Sequence, residues 1–208
     1  SRLSLYTEDP GRASYYLSRA ESLFEADRTP SGLTSAHLVR LTAARRLADV
    51  DSFNATLGRL RPAVNGPGWT SYTTCALEIE QAEFARVHLR DLPQARHRYN
   101  HVFRLSRDEP IHRGQALLGL AEVARQAGED PSPFLAELTA TTDAHPIGYL
   151  QAHLSITQFL IGELSASAAL ARIEEVAPQL TSRAATQAAS PLDFCLGGRP
   201  EDHETFLP

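Results

Sequence analysis

Five short sets of small or apolar residues recur along this chain with one internal spacing, four residues and then three. They are Ala13/Leu17/Ala20, Phe53/Leu57/Leu60, Ala95/Tyr99/Val102, Phe134/Leu138/Thr141 and Ala169/Ile173/Val176. At 3.6 residues per turn, that spacing places the three side chains of each set on one helix face. The first members lie 40, 42, 39 and 35 residues apart. Periods of this size mark arrays of repeated supersecondary units, so each set predicts one helix of such a unit.

A second internal likeness has an offset of 34. Gly114, Leu120, Gly128 and Glu129 superpose on Gly148, Leu154, Gly162 and Glu163. Each segment predicts a helix of about four turns closed by a glycine, the residue best suited to the left-handed conformation that ends a helix. A shorter helix carrying one of the five sets follows each glycine. The chain thus reads as all-α, with about five antiparallel helix pairs. Composition agrees, with 30 Ala and 28 Leu against 7 Val and 6 Ile. Straight-chain and small residues keep their freedom in a helix, whereas β-branched ones lose it.

Asp9-Pro10 supplies an N-cap and a first helical residue for a helix running to about Ala26. This first unit reads as a second helix only, whose partner helix is expected upstream of Ser1. The expected helical domain covers residues 1–180. Ser190-Pro191, Gly197-Gly198 and Arg199-Pro200 punctuate an expected irregular tail over 181–208.

The stretch Asp91-Leu92-Pro93-Gln94-Ala95-Arg96-His97-Arg98-Tyr99, with Val102 after it, resembles the second helix of a tetratricopeptide repeat. So does Leu117-x-x-Leu120-Ala121-x-x-Ala124-x-x-x-Gly128 for the first helix. The longer, Leu/Ala/Arg-rich units also resemble those of large bacterial signalling regulators. The resemblance implies a right-handed α-solenoid whose first helices line a concave groove that holds a peptide or protein segment. On that register Arg45, Gln81, His88, Gln115, Glu122, Arg125, Tyr149 and His153 face the groove, and Gly119 lets a ligand backbone come close. The expected activity is a non-catalytic protein–protein interaction. The alternatives are a ligand-sensing domain of a larger bacterial regulator, or an enzyme accessory protein with a histidine metal site.

Other candidates are few. All 20 basic residues are Arg, so no P-loop lysine and no Schiff-base lysine exist. No catalytic constellation stands out, and no cofactor is expected. His97 and His101 lie at i and i+4, a spacing that suits one metal ion, with His88 or His112 as a third ligand. The alternative is an ordinary solvated helix face. Cys75 reads either as a buried thiol or as one activated at the start of a helix at Ala76.

Charge is lopsided. Residues 1–104 carry 14 Arg against 11 acids, +3, and residues 105–208 carry 6 Arg against 14 acids, −8. The net −5 argues against a nucleic-acid partner, which favours basic domains. Between Arg86 and Arg113 lie seven Arg and four His, a docking patch for an acidic partner or for a second copy in a homodimer. No apolar run approaches the length of a membrane span, and a cytoplasmic location is expected.

Overall fold

A computed structural model describes residues 10–64, 66 and 69–177. Among these residues there are nine α-helices and no strand: α1 (Pro10–Ala26), α2 (Pro30–Arg46), α3 (Val50–Leu60), α4 (Ser71–Phe84), α5 (Leu92–Leu105), α6 (Pro110–Ala127), α7 (Ser132–Ala144), α8 (Gly148–Leu160) and α9 (Ala166–Val176). The irregular tail expected over 181–208 and the Ala13 side chain lie outside the described residues. No described helix is long and apolar enough to cross a membrane.

One device reverses the chain four times. After α1, α2, α6 and α8 a residue with positive φ follows: Arg28 (51°), Ala48 (54°), Gly128 (73°) and Gly162 (82°). Each time, the N–H of that residue donates to the carbonyl three residues back, and the next N–H donates five residues back. The longer bonds are Thr29 to Phe24, Asp49 to Ala44, Glu129 to Ala124 and Glu163 to Gln158, at 2.8–2.9 Å. This pattern satisfies carbonyls that have no partner inside the helix. Side-chain caps then start the next helix. Asp49 accepts from the N–H of Ser52 at 2.9 Å, Asp91 from Gln94 at 2.9 Å and Ser165 from Ala168 at 3.2 Å.

The chain divides into two compact units, Ser1–Gly119 and Leu120–Pro208. In the first, α1 and α2 form an antiparallel hairpin, with contacts closing from Ser18–Arg40 to Glu21–His37. Leu41, Ala44, Phe53, Leu60, Leu77 and Phe84 form a core joining α2, α3 and α4. Within it the Phe53 and Phe84 rings stack 4.0 Å apart. Ala95, Tyr99 and Val102 of α5 are fully buried, as their spacing predicts. Val102 packs with Cys75 and Ala116. In the second unit α8 and α9 form a hairpin in which Ala152 packs on Val176 and Arg172 donates to Gln158 at 3.0 Å.

Two sequence expectations need correction. In α7 the buried residues are Leu135, Leu138 and Thr142, whereas Phe134 and Thr141 are only half-buried. Spacings of four-then-three and three-then-four fit the same helical period, and the helix settles rotated by about one residue. The Thr141 hydroxyl bonds back to the Glu137 carbonyl at 2.8 Å, so it needs no partner from the core. Second, α4 starts at Ser71, capped by Thr70, and not at Ala76. Cys75 is thus inside the helix and 2% exposed, and burial raises its thiol pKa. The activated-thiol reading does not fit this environment.

Ala48 is an exposed L-residue in the left-handed region, which costs about 1–2 kcal/mol relative to the right-handed one. Ala48→Gly is expected to raise the unfolding free energy by about 0.5–1 kcal/mol in urea titration. Gly119 is buried, and a Cβ there would overlap the Tyr99 ring. Gly119→Ala is expected to lower stability by about 1–3 kcal/mol in the same assay.

Candidate functional site

The sequence places three acids, Glu78, Glu80 and Glu83, on α4, and packing sends them to different neighbours. Glu80 faces α2. It accepts from the Thr42 hydroxyl at 2.8 Å and from Arg45 Nε at 2.7 Å. Glu78 turns to α5 and accepts from Arg98 at 2.8 Å. Glu83 accepts from Arg86 at 2.7 Å and from the hydroxyl of Tyr99, whose ring is fully buried.

The helix ends in a π-helical turn, Ala85–Leu89, closed by Arg90 in the left-handed region. Such a turn contains one extra residue and re-aims the side chains around it. His88 lies in this turn, 5.2 Å from the Phe84 ring. Its Nε2 is 2.7 Å from the Arg45 carbonyl oxygen. A carbonyl only accepts, so Nε2 carries the proton.

Electrostatics in this cluster favours full ionisation. Burial alone would raise the Glu83 pKa. The Arg86 and Arg45 guanidinium groups, with the bonds from Tyr99 and Arg86, overcome that and hold the carboxyl at about 2. Burial would likewise lower the Arg45 pKa, but Glu80 and Glu83 keep it above the ordinary value. Burial and the facing Glu83 push the Tyr99 phenol well above its usual value. A carboxylate held this far from neutrality is a poor proton carrier at pH 7. It is well suited to tying α2, α4 and α5 together.

A smaller cluster joins α1 to α2. Glu21 accepts from Arg40 through both oxygens, at 2.7 and 3.0 Å, and lies 3.2 Å from His37 Nδ1. Burial works to raise its pKa, and Arg40 with His37 lowers it further than burial raises it.

The eight predicted groove residues therefore fall into different settings. Arg45 and His88 meet and belong to the inter-helix cluster. Gln81 is half-buried, with its amide 3.5 Å from the Leu77 carbonyl of its own helix. Gln115 is half-buried on α6. Glu122 accepts from Arg125 Nη2 at 2.9 Å, one turn along the same helix. Tyr149 and His153 meet edge to face on α8, with ring centroids 6.4 Å apart. Gly119, expected to admit a ligand backbone, instead makes room for the Tyr99 ring.

The proposed third metal ligands are committed elsewhere. His88 bonds the Arg45 carbonyl, and His112 is buried under the Tyr72 ring with Nδ1 2.7 Å from Glu109. His97 is exposed on α5 and His101 half-buried. Among the described residues no three His, Cys, Asp or Glu side chains come together as a metal site would need.

Sequence reasoning missed Thr42, Glu80, Glu83, Arg86 and Tyr99 as one cluster. The available signal was the trio of acids on a helix with otherwise apolar and small residues, since a carboxylate taken out of water demands a partner.

Comparison with protein-family models, with curated proteins and with solved structures finds no match to this chain.

The Glu83 shift gives a sign for pH dependence. A carboxyl held at about 2 in the folded state, against an ordinary value near 4.5, stabilises the fold above about pH 5. That contribution, about 2–3 kcal/mol, is lost as pH falls towards 2. Glu83→Gln is expected to cost about that much at pH 7 and to flatten the stability profile between pH 5 and 2. Urea denaturation at several pH values checks both.

Proposed function

We propose that this chain is a non-catalytic interaction module, a tetratricopeptide-like stack of helix pairs that binds an extended peptide or protein segment along its first helices. The observation that carries the reading is the pairing of α2 with α4. Thr42 and Arg45 reach Glu80, and His88 reaches back to Arg45, at sequence separations of 38, 35 and 43. Nearly constant separations mean that the two helices run side by side in the same direction. Equivalent first helices of successive units have that relation in a stacked array, in which each unit leans on its neighbour.

In this reading Arg45 and His88 fix the spacing of the row, and the ligand meets the other polar and aromatic residues. These are Gln81, Gln115, Glu122, Arg125, Tyr149 and His153. Arg125 and Glu122 offer one group of each sign, and Tyr149 with His153 offers an aromatic step. An extended segment with both charged and aromatic side chains is the ligand such a lining suits.

Selection of a displayed random-peptide library on the whole chain tests the reading. Enriched peptides are expected to bind with an affinity that falls at least tenfold, about 1.4 kcal/mol, when Glu122, Tyr149 and His153 are all changed to Ala. The circular dichroism spectrum and Tm should stay unchanged. A selection that enriches no sequence, or an affinity that the triple variant retains, overturns it.

A further inference from the structure

We propose that this protein pairs with a second copy of itself, the basic outer stripe of α5 on one copy lying against the acidic outer stripe of α9 on the other. The α5 stripe is set by what α5 buries. With Ala95, Tyr99 and Val102 turned inward, His97, His101, Arg104 and Leu105 fall at i, i+4, i+7 and i+8 on the opposite side. Arg104 is exposed, His101 half-exposed, and Leu105 is 45% exposed. Arg90 and Arg107 extend the positive charge beyond both ends of the helix and are exposed too.

The outer stripe of α9 has the same shape and the opposite charge. Ala169 and Val176 are buried, which leaves Leu170, Ala171, Glu174 and Glu175 exposed at i, i+1, i+4 and i+5. Leu170 is 50% exposed. Among the described residues Arg104, Glu174 and Glu175 form no ion pair within the chain. Each stripe thus offers one leucine beside unneutralised charge, and the two charges complement each other.

The wider charge distribution points the same way, +3 over residues 1–104 and −8 over residues 105–208. A second copy brings both signs to the contact. In a two-fold arrangement each α5 meets the other copy's α9, so the contact forms twice. Exposed ion pairs contribute only about 0.2–1 kcal/mol each, so the charges steer and orient while the leucines add buried apolar area. The association is therefore salt-sensitive, because charges separated by more than about 8–10 Å are screened at physiological ionic strength.

Sedimentation velocity on the whole chain in 50 mM and 500 mM NaCl provides the test. A dimer is expected at low salt, with a Kd at least tenfold weaker at high salt. His101→Glu/Arg104→Glu and, separately, Glu174→Arg/Glu175→Arg should each give a monomer with an unchanged circular dichroism spectrum. An equimolar mixture of the two variants should dimerise again, since both contacts then carry opposite charges. A monomeric parent at 50 mM salt, a dimer that survives either double change, or a mixture that stays monomeric overturns the proposal. A monomeric parent that binds heparin through α5 also overturns it, because the basic stripe then serves another polyanion.

Discussion

Everything in this fold depends on reversing a helix within a few residues without leaving its last carbonyls unpaired. The described chain does so four times with one hydrogen-bond pattern, a bond three residues back followed by a bond five residues back. The constraint is backbone conformation rather than side-chain chemistry. One residue must enter the left-handed region, and the next helix must find a cap at once. Where the residue is Gly128 or Gly162 the conformation costs little. Where it is Arg28 or Ala48 the strain persists, held by the packing of the helices on either side. The fifth reversal, after α4, uses a π-helical turn and Arg90 instead, and this exception delivers His88 to the end of α2.

Buried charge is the second organising element. Glu83 sits where burial opposes ionisation, yet it remains ionised because two guanidinium groups and a phenol converge on it. Removing one member leaves the others uncompensated, which is why such clusters fix helix positions more sharply than they add net stability. Tyr99 links this cluster to the apolar core: its ring fills the space left by Gly119, and its hydroxyl serves Glu83. One residue type at one position thus satisfies a packing demand and a polar demand together.

Legibility differed between fold and site. Helix positions followed from the period of apolar residues and from Gly128 and Gly162, and four of the five anchor sets point inward at the described residues. The α7 set missed by one residue because Phe134/Leu138/Thr141 and Leu135/Leu138/Thr142 satisfy the period equally well. Ala48 and Arg28 gave no sign of their left-handed conformation, since neither residue type prefers it. Among the site residues, Arg45 and His88 were singled out correctly as facing a neighbouring helix. Their partners were not, because Glu80 and the Arg45 carbonyl lie 35 and 43 residues away from the groups that bond them.

The sequence by itself determined that the chain is helical, roughly where each helix begins and ends, and which side of most helices is apolar. Those properties are local, set by 3.6-residue periodicity, capping residues and intrinsic propensity. Only the tertiary structure decided which carboxylate meets which guanidinium, that Gly119 accommodates Tyr99 rather than a ligand, and how α7 is rotated. Each of these depends on side chains brought together across helices, where close packing selects one arrangement among several that the local pattern permits equally.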